Sequence, residues 1–394
     1  METRVANRAA SIKPSPTLAV TAKAAELRAA GRDIIALSAG EPDFDTPVHI
    51  KEAAIKAIRD GKTKYTAAGG MPELKQAVAD KFRRENDLVY EAEQILVSCG
   101  AKHSIYNIMQ AFLNPGDEVI IPSPYWVSYP DMVKLAGAEP VVIRTGINNC
   151  FKITRKQLGR FITDETRLLL INSPSNPTGV SYSETELADL AALLVEHPEI
   201  IILTDDIYEH ILWGQDGFKN ILNVCPELND RTVVVNGVSK AYSMTGWRIG
   251  YLGGPLSLVK AAQKIQSQST SNPSSVSQYA ALAALNGDQS YISESTVIFK
   301  QRHDLVHAGL NSIDGVECAA ADGTLYSFPN MQGVIDRLDG INNDIELGEY
   351  LLEQAEVALV PGSAFGAKGY MRLSYATSME NLETAIGRLR RALS

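Results

Sequence analysis

Residues 239–251 read SKAYSMTGWRIGY and follow VVV at residues 233–235, a β-branched run that predicts a strand. A lysine held just past a strand end, such as Lys240, can become a neutral nucleophile and form a Schiff base with an aldehyde. Arg248, eight residues further on, can grip a phosphate through two parallel hydrogen bonds. An aldehyde and a phosphate in one molecule indicate pyridoxal phosphate, but a solvated lysine beside a structural arginine would give the same pattern.

Short apolar runs recur along the chain and are separated by segments long enough to form helices. They lie at residues 95–97, 118–121, 168–171, 200–203 and 233–235. Uninterrupted runs of this length are typical of strands in a parallel sheet that is covered on both faces. The sequence therefore predicts an α/β fold with a mainly parallel sheet covered by helices.

Helical patterns flank these strands. Residues 45–47 (DTP) followed by spaced apolar residues predict a capped helix with Pro47 near its first turn and Gly61 at its end, and a final amphipathic helix is predicted over residues 380–393. The pattern changes near residue 286, from alternating strands and helices to a helical stretch with short strands. We predict a large domain, residues 48–285, and a smaller α+β domain formed by residues 1–47 with 286–394, whose N-terminal segment closes over the substrate.

The candidate functional residues follow the carboxyl ends of these predicted strands: Gly100, Ala101, Trp126, Asn176, Asp205, Tyr208 and Lys240. Loops and helix N-termini converge at this edge of an open α/β sheet, and ligands bind there. The shared placement argues for one site more strongly than any single motif does.

Asp205 has the chemistry that a pyridine ring requires. A cofactor that withdraws electrons from a substrate Cα keeps its ring nitrogen protonated, and a nearby carboxylate stabilises that charge. Tyr208 and Asn176 can donate hydrogen bonds to a ring oxygen. Taken alone, residues 204–206 (TDD) also fit helix-capping acids, and residues 176–179 (NPTG) also fit an ordinary turn.

Other residues suit the remaining parts of such a ligand. Trp126 offers a flat face for stacking, and the backbone N–H groups of Gly100 and Ala101 can meet a phosphate. Arg372 lies in the apolar run MRLSY, where an unpaired guanidinium would be costly, so a substrate carboxylate would suit it. The alternatives are a core tryptophan, a plain tight turn and an internal salt bridge.

Composition restricts the classes of function. The 394 residues carry a net charge of -9, which argues against a general affinity for nucleic acid or anionic membranes. The four cysteines and six histidines show no metal-ligand spacing, so we assign no metal. The N-terminus lacks the apolar stretch of a signal peptide, and a reducing cytoplasm is the expected location.

Longer runs support the same interpretation: AGEPDFDTP at residues 39–47, PYWVSYP at 124–130 and MTGWRIGY at 244–251. Over nearly the whole chain, the sequence resembles the class I aminotransferases of pyridoxal phosphate fold type I, and within them the bacterial aspartate aminotransferases that include aspartate/prephenate enzymes. The resemblance implies transfer of the amino group of L-aspartate to 2-oxoglutarate, which forms oxaloacetate and L-glutamate. Amination of prephenate to arogenate is the implied second reaction.

The resemblance assigns the cofactor contacts as follows: the Schiff base and proton transfer to Lys240, the pyridine nitrogen to Asp205, the phenolic oxygen to Tyr208 and Asn176, the ring face to Trp126, and the phosphate to Arg248. Similar enzymes are homodimers with their sites at the subunit interface. Tyr65 would therefore reach the phosphate bound by the partner subunit.

The resemblance assigns the substrate contacts as follows: the α-carboxylate to Arg372 and the backbone of Gly40, with Trp126 and Asn176 nearby, the distal carboxylate to Lys102 with Ser15 and Thr17, and prephenate to Lys13. One departure is GTLY at residues 323–326, where similar sequences usually read GAFY. This difference puts the preferred substrate in doubt.

Other functions fit parts of the pattern. An aromatic or alanine-type aminotransferase, or a pyridoxal enzyme with another Cα reaction, would share the fold. A non-catalytic pyridoxal-binding regulatory module would normally be attached to a DNA-binding domain, and this chain has no basic helix-turn-helix extension. A dinucleotide-binding dehydrogenase is discarded, because SCGAK at residues 98–102 stands where GxGxxG would follow the early strand.

Overall fold

The computed structural model describes residues 4–214 and 217–394. Its strands are β1 (Ile35–Ala36), β2 (Ile95–Ser98), β3 (Glu118–Ser123), β4 (Glu139–Arg144), β5 (Thr166–Asn172), β6 (Ile201–Asp205), β7 (Thr232–Gly237), β8 (Gly250–Gly253), β9 (Tyr326–Ser327), β10 (Val357–Ala358), β11 (Val360–Pro361) and β12 (Met371–Ser374). Its helices are α1 (Asn7–Ala10), α2 (Pro16–Ala29), α3 (Val48–Arg59), α4 (Pro72–Asn86), α5 (Ala101–Phe112), α6 (Tyr129–Leu135), α7 (Arg155–Phe161), α8 (Glu184–Leu194), α9 (Ile221–Val224), α10 (Leu256–Ser269), α11 (Ser275–Asn286), α12 (Ser290–Asn311), α13 (Gln332–Ile335), α14 (Asp344–Tyr350) and α15 (Met379–Ala392).

A seven-stranded sheet lies at the centre of the described residues, in the order β2-β8-β7-β6-β5-β3-β4. The strands from β7 to β4 along this order pair in parallel, whereas β8 runs antiparallel to both β2 and β7. The predicted α/β fold with a mainly parallel sheet is confirmed. The antiparallel β8 is an addition, because its sequence GYLG carries little strand signal.

Both faces of this sheet are buried, as β5 shows. Leu168 and Leu170 belong to the apolar cluster that includes residues of α5 and α10. Leu169 and Ile171 belong to the cluster on the opposite face, with residues of α4 and α8. Successive side chains of a strand point to opposite faces, so an uninterrupted apolar run is what a doubly covered sheet requires.

A second group of short strands packs with the C-terminal helices. β9, β11 and β12 form an antiparallel sheet, and β1 pairs in parallel with β10. Ile35 and Leu37 share an apolar cluster with residues of α12 and α15, including Phe299 and Leu389. This packing supports a small domain that joins both ends of the chain, and its proposed boundaries at residues 47 and 286 stay a prediction.

The predicted cap of the helix after Pro47 is wrong in detail. Pro47 is the N-cap residue of α3, and no side chain caps the helix. The Thr46 hydroxyl instead donates to the carbonyl of Ser243 at 2.7 Å and accepts from the indole N–H of Trp247 at 3.0 Å. Thr46 therefore ties the loop before α3 to the loop that carries Lys240.

Candidate active site

A cavity of about 370 Å³ opens beyond the carboxyl ends of the central parallel strands. Because β6 lies between β5 and β7, the loops that follow these strands meet at one edge of the sheet. The cavity lining includes the following residues singled out from the sequence: Ser15, Thr17, Gly40, Ala101, Lys102, Trp126, Asn176, Asp205, Tyr208, Lys240, Arg248 and Arg372.

Lys240 lies in the turn after β7 and forms part of the cavity lining. Its Nζ donates to the carbonyl of Gly40 and lies 5.7 Å from the centre of the Tyr208 ring. Burial lowers the pKa of Lys240 to about 8, although the carboxylate of Glu41 opposes the shift. About a tenth of this amine is therefore neutral at pH 7 and about half at pH 8, far more than for an ordinary lysine, as a nucleophile or general base requires.

Asp205 ends β6 and is 5% exposed. Its Oδ2 accepts a hydrogen bond of 2.6 Å from the hydroxyl of Tyr129, while its Oδ1 has no hydrogen-bond partner among the described residues. Burial raises the pKa of Asp205 to about 6, and the bond from Tyr129, the backbone N–H of Ile207 and the charge of Lys240 limit the rise. Near neutral pH the carboxylate is mostly ionised and offers one oxygen to a cationic N–H.

Arg372 lies on β12 and is 2% exposed. Its guanidinium is packed between two rings, 4.4 Å from the centre of Tyr326 and 4.9 Å from that of Phe365. It donates to the Ser38 carbonyl at 2.7 Å and to Oδ1 of Asn176 at 3.1 Å, and its Nε has no partner among the described residues. A buried cation with neutral acceptors favours an anionic ligand.

Tyr208 reaches the cavity from the loop after β6. Its hydroxyl lies 2.8 Å from the hydroxyl of Tyr326, and both tyrosines are buried. Burial, together with Tyr326, raises the pKa of Tyr208 well above its ordinary value. The phenol therefore stays protonated and can donate a hydrogen bond.

The guanidinium of Arg248 lies against the turn where β2 leads into α5. Gly100 has a φ of +89°, and a Cβ there would lie 2.3 Å from Nη2 of Arg248. Arg248 is itself left-handed, with a φ of 55°, and its Nη1 donates to the carbonyl of Thr245 at 2.7 Å. Gly100 is needed for this approach, and the N–H groups that open α5 at Ala101 add a favourable dipole for an anion. Gly100 itself is outside the cavity lining but adjoins it.

The outer part of the cavity is basic. Nζ of Lys102 lies 4.8 Å from the centre of the Trp126 ring, and burial, then the charge of Arg248, lower the pKa of Lys102. Thr17 has a buried Oγ1 without a partner among the described residues. Lys13 does not reach this cavity. It lines an adjoining one of about 460 Å³ that shares Lys102 and Arg248 with the first.

Tyr65 lies apart from the cavity of its own chain. It is 91% exposed, in the loop between α3 and α4. The structure of one chain therefore leaves its predicted role, contact with a phosphate in another subunit, as a prediction.

The departure at residues 323–326 does not face the ligand directly. Thr324 and Leu325 are fully buried and absent from the cavity lining, whereas Tyr326 is part of it. Thr324 has a φ of +71°, an unusual value for a β-branched residue. An effect of Thr324 and Leu325 on the substrate is therefore indirect, and the adjacent Tyr326 is a residue that reaches the cavity.

Sequence reasoning missed several lining residues. Tyr129 and Tyr326 lie in runs that the sequence analysis quotes without giving either residue a role. Asn172 ends β5, where its Nδ2 donates to the Asp205 carbonyl and its Oδ1 accepts from the Asn176 N–H, both at 2.8 Å. Its position at a strand end was the available signal, because the other candidates share it.

Comparison with known proteins agrees with this geometry over nearly the full length. A family model described as aminotransferase class I and II matches residues 32–389. The chain belongs to this aminotransferase family. It is 57% identical to the aspartate/prephenate aminotransferase of Nitrosomonas europaea, over 99% of this chain and 100% of that protein.

Solved structures give the same family. The aspartate aminotransferase of Rhizobium meliloti is similar with a TM-score of 0.96 and 48% identity, covering 100% of this chain and 99% of that one. The aspartate aminotransferase of Thermus thermophilus with maleate has a TM-score of 0.93 and 43% identity, covering 99% and 100%. These values confirm the fold of the family for this aminotransferase.

Two further features of this aminotransferase concern its cysteines and the length and polarity of its helices. All four cysteines lie in the described residues and carry free thiols: Cys99, Cys150, Cys225 and Cys318. In the part of the chain that the structure describes, each helix is too short or too polar to span a lipid bilayer.

Proposed function

We propose that this aminotransferase moves the amino group of L-aspartate to 2-oxoglutarate and forms oxaloacetate and L-glutamate, with pyridoxal 5'-phosphate as its cofactor. One observation carries the proposal. A single cavity combines the amine of Lys240, the half-paired carboxylate of Asp205 and the guanidinium groups of Arg248 and Arg372. The names of the similar proteins, which are aspartate and aspartate/prephenate aminotransferases, support aspartate as the donor.

The residues present fit this cofactor. The unpartnered Oδ1 of Asp205 suits a protonated ring nitrogen, and the guanidinium of Arg248 beside the N-terminus of α5 suits a phosphate. Tyr208 and Asn176 offer donors for a phenolic oxygen, and Trp126 a face for the ring. When bound, pyridoxal phosphate supplies a conjugated ring that stabilises negative charge at the substrate Cα.

Lys240 performs the proton transfer in this proposal. Its Nζ, neutral in a large fraction near pH 8, would take the proton from the substrate Cα as a general base and deliver it as a general acid to the aldehyde carbon of the cofactor, C4′. Arg372 and the backbone of Gly40 hold the α-carboxylate, so that the Cα–H bond faces this amine. Asp205 keeps its negative charge near the reacting centre throughout.

Lys102 is proposed to select substrates with a second carboxylate. It lies at the outer end of the cavity with Ser15 and Thr17, whereas Arg372 lies deeper. Two basic groups in one cavity match the two carboxylates of aspartate and 2-oxoglutarate. Maleate, which is present in the similar Thermus thermophilus structure, is also a dicarboxylate.

Prephenate is proposed as a second amino acceptor, which would yield arogenate. The relative from Nitrosomonas europaea carries both substrates in its name. Lys13 supports this activity, because it lines the larger space that adjoins Lys102 and could receive a ring-bearing acid. Lys13→Ala should therefore weaken prephenate use and leave aspartate turnover with 2-oxoglutarate nearly unchanged.

A homodimer is proposed as the active form, working in the cytoplasm as the free cysteines suggest. Tyr65 is 91% exposed, and α3 exposes Val48, Ile55 and Ile58 on one side. These apolar side chains suit an interface, and Tyr65 would then reach the phosphate in the partner subunit.

The direct test is an absorbance spectrum of the purified protein before and after addition of L-aspartate, followed by assays with several 2-oxo acids. We expect the aldehyde form to convert to the amine form with aspartate, and 2-oxoglutarate to restore it. Lys240→Ala should keep cofactor bound through Arg248 and Asp205 while turnover falls about 10²- to 10⁴-fold. Bound cofactor with no response to any amino donor would instead indicate a regulatory module.

Substrate choice is tested by Lys102→Ala and Arg372→Ala. Arg372→Ala should lower kcat/KM for every amino and oxo acid, whereas Lys102→Ala should lower it selectively for dicarboxylic ones. Equal losses for aspartate and alanine in the Lys102 variant would reject the proposed role of Lys102.

A further inference from the structure

Tyr129 contacts the carboxylate that the proposed function places at the cofactor ring. It opens α6, is 1% exposed, and its hydroxyl donates to Oδ2 of Asp205 at 2.6 Å. The other oxygen, Oδ1, has no partner among the described residues, although Asp205 is almost fully buried and lines the cavity. The two oxygens of this carboxylate are therefore in different environments.

The packing around Tyr129 holds this hydrogen bond in place. The Tyr129 ring meets Trp126 edge to face, with centres 5.2 Å apart and planes at 81°. The main chain of Asp205 is fixed separately, because Asn172 donates to its carbonyl at 2.8 Å. Rotation of the carboxylate plane about the Cβ–Cγ bond would break the bond from Tyr129, so this bond fixes the plane in which the second oxygen lies.

Tyr129 is the donor in this pair, because burial and the charge of Asp205 keep its hydroxyl protonated. The titratable groups that face Asp205 are Tyr129, Asp206, Tyr208 and Lys240. Burial, then the charge of Asp205, raises the pKa of Tyr129 far above its ordinary value, so the phenol keeps its proton. Burial likewise raises the pKa of Asp206, whose Oδ2 accepts from Asn220 at 2.7 Å.

We propose that Tyr129 is a positioning residue for Asp205: its hydroxyl holds Oδ2 and stabilises the ionised carboxylate, so that Oδ1 is directed at the ring nitrogen of the cofactor. The inference rests on the proposed function for the identity of that nitrogen. Tyr129 acts through Asp205 and does not itself take part in the proton transfer.

Tyr129→Phe tests this role, because it removes the hydroxyl and keeps the ring. Tyr242→Phe is the matched control, since Tyr242 is 2% exposed and donates to Gln289 at 2.7 Å, away from Asp205. The first readout is infrared titration of the Asp205 carboxyl in the cofactor-free protein, with the band identified by its loss in Asp205→Asn. Loss of a hydrogen bond to a charged group should raise the midpoint by about one pH unit, or tenfold, in Tyr129→Phe only.

The second readout is the dissociation constant of pyridoxal phosphate, which should rise about tenfold in Tyr129→Phe and stay unchanged in Tyr242→Phe. Equal midpoints and equal affinities in the two variants would overturn the role of Tyr129. If Asp205→Asn binds the cofactor as tightly as the wild type, the proposed cofactor contact fails instead.

A third variant removes dependence on the stability of Tyr129→Phe. A fluorinated tyrosine at position 129 has nearly the same size and a more acidic hydroxyl, so it donates more strongly. It should lower the midpoint of Asp205 below that of the wild type. A midpoint that rises or does not move would count against the proposal even if Tyr129→Phe failed to fold.

Discussion

Burial favours the neutral form of both central site residues and therefore shifts their pKa values in opposite directions. It lowers the pKa of Lys240 to about 8 and raises that of Asp205 to about 6. A lysine in the unfolded chain has a pKa of about 10.4. Between about pH 8 and 10.4 the native state therefore binds fewer protons than the unfolded state. Through this group, the stability of the cofactor-free protein therefore rises with pH over that window.

Lys240 should react as an amine of lowered pKa. In competitive acetylation of the cofactor-free protein, followed by mass spectrometry, we expect half-maximal reactivity near pH 8. A lysine peptide in the same tube serves as the reference and should reach half-maximal reactivity at about pH 10.4. Glu41→Gln is the matched variant, and it should move the Lys240 midpoint lower, because the Glu41 carboxylate favours the ammonium form. A midpoint equal to that of the peptide would contradict the assignment of Lys240 as the base.

Gly100 should be required for ligand approach, and Gly31 offers a control with a similar positive φ. Their φ angles are +89° and +90°, but an added Cβ meets Arg248 at Gly100 and nothing within 4 Å at Gly31. Alanine at either position should cost about 1 kcal/mol of unfolding free energy from backbone strain. Only Gly100→Ala should also weaken binding of pyridoxal phosphate, as measured by equilibrium titration. Equal affinities in the two variants would show that Gly100 serves the turn alone.

At the scale of elements, a buried ion pair joins α4 to the loop that follows Asp205. Lys81 is fully buried and donates to Glu209 and to Oδ1 of Asn86 at 2.7 Å. Asn236 also donates to Glu209, at 2.8 Å. Burial favours the neutral form of Glu209, but the charge of Lys81 lowers the pKa of this carboxyl below its ordinary value. The loop is therefore fixed to α4 by charges that have little access to water.

This cluster includes a group with metal-ligand chemistry. Carboxylate and imidazole atoms of Glu85, Glu209 and His210 lie within 4.8 Å of one another. The ammonium of Lys81 already supplies the positive charge, because it contacts both Glu209 and Glu85. The arrangement favours an anchor for the loop.

Lys81→Met should destabilise the protein strongly. It leaves the Glu209 carboxylate buried without its cation, which costs about 3–5 kcal/mol in unfolding free energy measured by urea denaturation. The double variant Lys81→Met with Glu209→Met removes both charges and should recover a large part of that loss. A double variant less stable than Lys81→Met would show that the two residues contribute independently.

Most of the parallel strands were predictable, and the exceptions have physical causes. The run at residues 168–171 lies within β5, because both faces of that strand are buried and each residue is apolar. β4 carries Pro140 and lies at the edge of the sheet, where a proline is tolerated but the strand signal is weak. The antiparallel direction of β8 depends on pairing with distant strands, which local patterns do not report.

At the scale of the whole molecule, the site depends on contacts between distant parts of the chain. The strand-end rule predicts from the sequence alone that Lys240 and Asp205 lie at one edge of the sheet. It did not give Tyr129, which pairs with Asp205 across 76 positions. Tyr326 was missed for the same reason, because only the folded chain packs it against Arg372.

The proposed site requires two copies of the whole molecule, because Tyr65 can reach the phosphate only from another subunit. Ile58 on α3 is 55% exposed, and Ile345 on α14 is 53% exposed. Ile58→Glu places a charge in the proposed interface and should weaken the dimer by on the order of 2–3 kcal/mol. The matched variant Ile345→Glu should leave association unchanged in sedimentation equilibrium.

Tyr65→Phe should keep the dimer but lower affinity for pyridoxal phosphate, since one hydrogen bond to the phosphate is lost. Wild-type protein that is monomeric and binds the cofactor independently of protein concentration would contradict this arrangement, because mass action links the two equilibria when one subunit completes the site of the other.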